Sequence, residues 1–397
     1  MKTGNTVAAS AFTDSKPHYE ILDGLRGVAA LVVIWYHVFE GFATSPLDQK
    51  FNHGYLAVDF FFILSGFVVG YAYDDRWRKR PGNASGVDGK GARGVMSVKD
   101  FLKRRLVRLH PMVMLGSVLG AVTFLIQGSV QWDGTHVPFG AVMLAMLLGM
   151  FLIPAYPGAP YEVRGNNEMY PLNGPSWSLF FEYIGNILYA LVLRRLSTRW
   201  LAVVVAVSGL CLAGYAVGGL SGFGHLGVGW SLTDLNLPGG FLRLMFSFGV
   251  GLLMSRGFRP WRVRGAFWIC SLAIILLLSV PRIGTEGNMW LNGLYEALCV
   301  VCVFPLLVYI GASGQVTGGF SRRVCRFLGD ISYPVYIIHY PFMYLFYAWT
   351  FTGVPFSEAW PWAVTVFLGS IVLAYIVLKV YDEPLRKWLG RKWLRRV

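Results

Sequence analysis

Long apolar runs separated by short polar connections dominate the chain. Val28–Phe39, Ala141–Ile153, Leu201–Val217, Phe267–Val280, Cys299–Ile310 and Ala363–Leu378 are the clearest. A hydrocarbon core about 30 Å thick takes about 20 mostly apolar residues per crossing helix. With their shoulders, the runs predict eleven candidate spans. These lie near 28–44, 55–73, 109–127, 139–154, 176–193, 200–217, 238–255, 265–281, 292–311, 332–350 and 361–380. The expected fold class is therefore all-α, a polytopic membrane helix bundle.

Charge decides how many of these segments cross. Of 397 residues 55% are hydrophobic and only 14% charged, yet the net charge is +14. If 139–154 crosses, Arg194, Arg195, Arg199 and every later basic loop fall outside. If it is re-entrant or interfacial, the basic segments Arg76–Arg80, Lys99–Arg108, Arg194–Arg199, Arg256–Arg264, Arg322–Arg326 and Arg386–Arg396 all face the cytoplasm. Only Lys50, Arg164 and Arg282 of the 35 Lys and Arg then lie in outer loops. The positive-inside rule thus favours about ten transmembrane helices plus one re-entrant or interfacial segment, with both termini cytoplasmic. The positive charge is topological and does not indicate nucleic-acid binding.

The organisation expected is a polar cytoplasmic tail (1–20), one transmembrane domain (21–385) and a basic cytoplasmic tail (386–397). No cleavable signal peptide is expected, because the first residues are polar and Asp23 and Arg26 precede the first apolar run. The 74–107 loop contains a glycine-rich stretch from Pro81, expected to be mobile. After it, Lys99–Pro111 reads as an amphipathic helix entering the third span. Phe101, Leu102, Leu106 and Leu109 form its apolar side, and Lys103, Arg104, Arg105 and Arg108 its basic side. The outer loop 155–175 is rich in Pro, Gly and Asn and can cap a cavity. Cys299 and Cys302 form a C-x-x-C pair, but without a second ligand pair they read as packing residues, and no metal is expected.

Ionisable groups at membrane depth are costly, so each is a functional candidate or half of a structural pair. Arg26 and His37 are 11 residues apart, which leaves them about 20° from a common helix face and about 16 Å apart along the axis. Arg26 is expected at the cytoplasmic rim and His37 near mid-bilayer. There His37 can act as a general base, or as a core histidine bonded to a carbonyl. Arg105 and Arg108, at i, i+3, are expected to project from one side as phosphate-binding forks beside Arg104, or as ordinary positive-inside charge. Glu182 falls two turns into a span; it can orient a histidine, bind a sugar hydroxyl or pair with Arg243. Asp59 starts near a membrane boundary. Asp382-Glu383-Pro384-x-Arg386 reads as a cap or salt bridge closing the last helix.

In order along the chain, Leu22-Asp23-Gly24-Leu25-Arg26-Gly27 with His37 resembles the Arg-x10-His signature of the acyltransferase 3 family. So do Val58–Phe67, Arg104–Pro111, Ser176–Glu182 and Ile331–His339, and the likeness extends from about residue 19 to about 388. Members are membrane-bound O-acyltransferases that move an acyl group, often acetyl, from cytoplasmic acyl-CoA to a hydroxyl, commonly on an external glycan. The resemblance implies that His37 is the essential histidine and Arg26 its companion, and that Arg105 and Arg108 serve donor binding. It implies a cytoplasmic (inner) membrane enzyme, here of stand-alone form without an appended outer domain. Two departures stand out. The third span enters on Leu109-His110-Pro111 where the family usually has an Ile-Tyr-Pro-like end, and the Trp-Ser-Leu motif keeps one acidic residue, Glu182.

Together these readings set a catalytic group of His37, Arg26 and Glu182, and a donor group of Arg104, Arg105 and Arg108. Asn173, Ser176, Trp177 and Asp59 are the candidate acceptor-binding residues, with Ser65 a further polar candidate. The nucleotide of acyl-CoA would rest on the inner arginines while its thioester reaches His37. The expected partners are acyl-CoA, a glycan or other hydroxyl-bearing acceptor, and the lipid bilayer. A secondary transporter or flippase is the rival class, since it too can carry a mid-membrane histidine and buried charges. Paired repeats would mark one, and none is evident.

Overall fold

The computed structural model describes residues 19–51, 53–77 and 95–394. The tail 1–18, the glycine-rich 81–91 stretch and residues 395–397 lie outside them. The described residues form an all-helical bundle with no named strand. Its helices are α1 (Glu20–Glu40), α2 (Ala57–Tyr73), α3 (Val98–Ile126), α4 (Phe139–Met150), α5 (Ser176–Leu191), α6 (Thr198–Val217) and α7 (Asn236–Gly257). They are followed by α8 (Ala266–Ser279), α9 (Trp290–Leu298), α10 (Phe304–Ser313), α11 (Gly319–Thr350), α12 (Phe356–Val377) and α13 (Glu383–Trp393). Single π-helical turns, Cys299–Val303 and Leu378–Asp382, join α9 to α10 and α12 to α13.

Among the described residues, eight continuous helices are long and apolar enough to cross a membrane. α4 has 12 residues, a rise of about 18 Å, which is too short for the hydrocarbon core. This is the 139–154 segment, expected to be re-entrant or interfacial. α8, expected to span 265–281, is also short, with 14 residues. α11 runs for 32 residues and is not among the eight; it buries Ser332, His339 and Thr350 inside the protein.

α11 is the hub of the bundle. It packs along α1 most extensively, and against α3 and α12. In lipid no hydrophobic force pulls helices together, so close approach of small residues does that work. At Gly27 an added Cβ would sit 2.3 Å from the Leu328 carbonyl oxygen of α11. α2 and α7 meet similarly, with Gly66 against the Phe248 carbonyl and Gly251 against that of Ile63. Backbone contact at these points sets the depth at which facing polar side chains meet.

Candidate functional site

α1 ends at Glu40, so His37 stands one turn from the helix end. Residues three apart share a helix face. His37 Nδ1 accordingly lies 2.7 Å from Glu40 Oε2. An ionised carboxylate only accepts hydrogen bonds, so Nδ1 is the donor in this contact, and in the neutral ring Nε2 is left as the lone pair. The His37 side chain is 15% exposed and that of Glu40 is 39% exposed, which leaves the pair approachable from the end of α1. The Tyr347 hydroxyl on α11 braces both, 2.8 Å from the His37 carbonyl and 2.9 Å from Glu40 Oε2.

α11 brings a second histidine here. The His339 ring centre is 5.5 Å from that of His37, and Tyr340 meets His37 edge-on at 4.7 Å. His339 Nδ1 lies 3.0 Å from the Val335 carbonyl, one turn back. That carbonyl can only accept, so Nε2 is a lone pair, and it is buried without a partner. Two turns of α11 therefore set the His339 and Tyr340 rings and the Tyr347 hydroxyl beside His37 and Glu40. Glu40, His339, Tyr340 and Tyr347 were not singled out from sequence. The i, i+3 spacing of Glu40 from His37 was the available signal, and the end of an apolar run hid it.

The other expected site residues separate into distinct places. Asn173 is buried and donates from Nδ2 to the Ile337 carbonyl, 3.0 Å away, while its Oδ1 has no partner. Asn173 and Ser176 border one small cavity with Ser117, Tyr170 and Leu172. Glu182 does not meet Arg243 or either site histidine. Its Oε1 accepts from Arg105 Nη2 at 2.7 Å and from Ser65 Oγ at 3.0 Å. Arg105 itself is only 5% exposed, which corrects the expected basic face of α3. Phe101, Arg105 and Leu109 are related by steps of four and all turn inward, whereas Arg108 is exposed. Arg105 and Arg108 therefore do not act as two forks on one side.

Asp59 is likewise committed. Arg243 on α7 holds it through Nε (3.1 Å to Oδ2) and Nη2 (2.7 Å to Oδ2), and Ser247 adds a third donor. The remaining Arg243 donors reach the Val228 and Tyr55 carbonyls. Trp177 lies against the Arg243 guanidinium, 5.1 Å from its ring centre. Asp59 and Trp177 thus belong to a saturated structural knot rather than to the surroundings of His37. Arg26 pairs with Asp23 at 2.7 Å toward the opposite end of α1.

Near the site, the 151–175 loop carries Glu168 and the fully buried Arg164. Arg164 packs against Tyr344, Phe124 and Trp132 with its carbon centre 3.8–5.0 Å from their ring centres. Glu168 accepts from Tyr344 and from Asn166. Burial pushes its carboxyl up from 4.5 to about 7. A carboxyl with a raised folded pKa holds its proton more tightly when folded. The packed loop is then most stable below about pH 4.5 and loosens as pH rises through about 7. Glu168→Gln is expected to abolish that slope in amide exchange of residues 151–175, corrected for intrinsic rates. Equal slopes in both proteins would remove Glu168 as the cause.

Among the described residues no group of three or more His, Cys, Asp or Glu is placed to hold a metal. The five cysteines are free; Cys299 is buried and Cys302 exposed on the π turn.

Residues 19–379 match the acyltransferase 3 family model, described as an acyltransferase domain. The chain is 32% identical over 198 residues to "Protein 2 in picA locus" of Rhizobium radiobacter, which covers 48% of this chain and 91% of that protein. It is 25% identical over 400 residues to "Acyltransferase MdmB" of Streptomyces mycarofaciens, covering 94% and 92%. It is 23% identical to a Staphylococcus aureus (strain COL) protein named "Putative O-acetyltransferase", covering 92% of this chain and 57% of that one. No solved structure matches.

Proposed function

Since the chain belongs to the acyltransferase 3 family and is an acyltransferase, we propose that it transfers an acyl group, acetyl in the first instance, from cytoplasmic acyl-CoA to a hydroxyl of a glycan or glycosylated acceptor. It does so in the inner membrane, with both termini in the cytoplasm. The observation that carries the reading is the His37–Glu40 pair at one end of α1, with Arg26 toward the other. Arg26 and His37 are about 16 Å apart along the axis, the span that an extended pantetheine arm has to cover.

His37 Nε2 takes the proton of the acceptor hydroxyl as its oxygen attacks the thioester carbonyl. Glu40 balances the imidazolium that forms. The C–O bond forms, the C–S bond breaks, and the thiolate leaves with the proton held by His37. The hydroxyls of Tyr340 and Tyr347 and the lone pair of His339 surround the incoming alcohol. Arg104 and Arg108 face the donor phosphates, while Arg105 holds Glu182 and thereby ties α3 to α5. The Streptomyces and Staphylococcus relatives, by their names, support acyl and O-acetyl transfer respectively.

The test is incubation of the protein in vesicles with radiolabelled acetyl-CoA and a hydroxyl-rich acceptor. Labelled ester together with free CoA thiol is expected. Thiol release absent with every acceptor, in a folded sample, would overturn the donor assignment.

A further inference from the structure

With Arg105 turned inward onto Glu182, the inner basic rim of α3 lacks one of the arginines expected to hold the donor. The fold brings another to the same place. α12 continues through the π turn Leu378–Asp382 into α13, and α13 packs on α3. A π turn adds a residue to the helical circuit and re-aims the helix beyond it. Tyr381 on that turn donates to the Pro111 carbonyl of α3, 3.1 Å away, and Tyr333 of α11 donates to the Leu109 carbonyl. These bonds pin the start of α13 beside the Arg104–Pro111 segment.

Arg386 Nη2 lies 2.7 Å from Asp382 Oδ2, and Asp382 is buried. The Asp382 carboxylate also feels the charge of Arg108, and Tyr333 feels that of Arg386. Arg108 on α3 and Arg386 on α13 thus belong to two helices that pack together, with Arg386 held on Asp382. The Nε atoms of Arg386 and Arg104 are buried without a partner, whereas the Arg386 side chain as a whole is 32% exposed and Arg108 is exposed. One carboxylate does not neutralise this rim. Guanidinium groups on packed helices that reach solvent suit a multiply charged phosphate ligand.

We infer that Arg386, on the last helix, is a donor-binding residue that works with Arg108 and Arg104 of α3 to hold the phosphates of a nucleotide thioester. The inference rests on the acyl-CoA reading above and goes beyond it, because the donor group expected there lay wholly on α3. Asp382 is its positioning residue. The π turn keeps Arg386 at the rim, so α13 forms one wall of the donor entrance rather than an idle tail.

The experiment compares two donors, acetyl-CoA and acetyl-pantetheine, which lacks the nucleotide. Arg386→Gln is expected to raise KM for acetyl-CoA about 10- to 100-fold, the worth of a hydrogen bond to a charged group. Its kcat, and its KM for acetyl-pantetheine, should stay unchanged. Arg386→Lys should recover part of the loss, since it keeps the charge without the fork. Removing Arg386 alone leaves Asp382 buried without its partner, so Asp382→Asn/Arg386→Gln is the folded control and should show the same donor-selective defect. An unchanged KM for acetyl-CoA in both variants overturns the inference. So does an equal loss with both donors, which marks a structural role. Failure of the unsubstituted protein to use either donor overturns the acyl-CoA reading itself and is read separately.

Discussion

His37→Ala is expected to lower acyl transfer by about 10²–10⁴-fold, the usual contribution of a positioned general base, while the protein stays folded. The ring is only 15% exposed but makes its one side-chain hydrogen bond to Glu40, so its removal leaves a small void and frees a carboxylate that already reaches solvent. Donor binding should be intact, because the inner rim is about 16 Å away along α1. Glu40→Gln tests the geometry more finely. The amide can still sit beside Nδ1 but cannot balance the imidazolium, so kcat should fall while KM for both substrates holds. Labelled acetyl transfer and thiol release, measured on samples with matched thermal unfolding, give both readings. Normal turnover in His37→Ala would remove this imidazole from the reaction.

Arg243→Ala is expected to destabilise the protein by about 3–5 kcal/mol, the penalty for breaking a buried ion pair by removing one partner. Asp59 and Arg243 are both fully buried. Without the guanidinium, Asp59 keeps only Ser247 as a side-chain donor, and the Tyr55 and Val228 carbonyls each lose a donor. Asp59→Leu/Arg243→Met, which removes both charges and keeps apolar bulk, should recover much of the loss. Thermal unfolding in detergent checks this. A single variant as stable as the original protein would show that the knot carries no stability. Because Trp177 rests on Arg243, the same substitution should disturb the start of α5 as well.

Each expected span corresponds to a helix, because long apolar runs have few alternatives in a bilayer, but α1, α3 and α11 begin well before the apolar runs do. Charge singled out 139–154, where α4 is short, but α8 is nearly as short and nothing in the charge pattern marked it. The split of α12 and α13 by a π turn was not legible, since nothing in Leu378–Asp382 distinguishes it from regular helix. At the site, the 11-residue spacing put Arg26 and His37 about 16 Å apart on one helix, and α1 carries both. The expected span ran on to residue 44, whereas the helix stops at Glu40.

What the sequence alone determined was the class of molecule, its helices and a histidine aligned with an arginine on one of them, all consequences of local periodicity and solvent. Tertiary structure decided which of those groups meet. Spacing shows that Phe101, Arg105 and Leu109 share a face, but only the neighbouring helix determines whether that face is buried and whether Glu182 waits there. The Asp59–Arg243 pair, the bracing of Glu40 by Tyr347 and the arrival of Arg386 at α3 join residues far apart in the chain. Such contacts depend on the close approach of backbones at positions such as Gly27 and Gly66, and helix packing of that kind is a property of pairs that no single segment encodes.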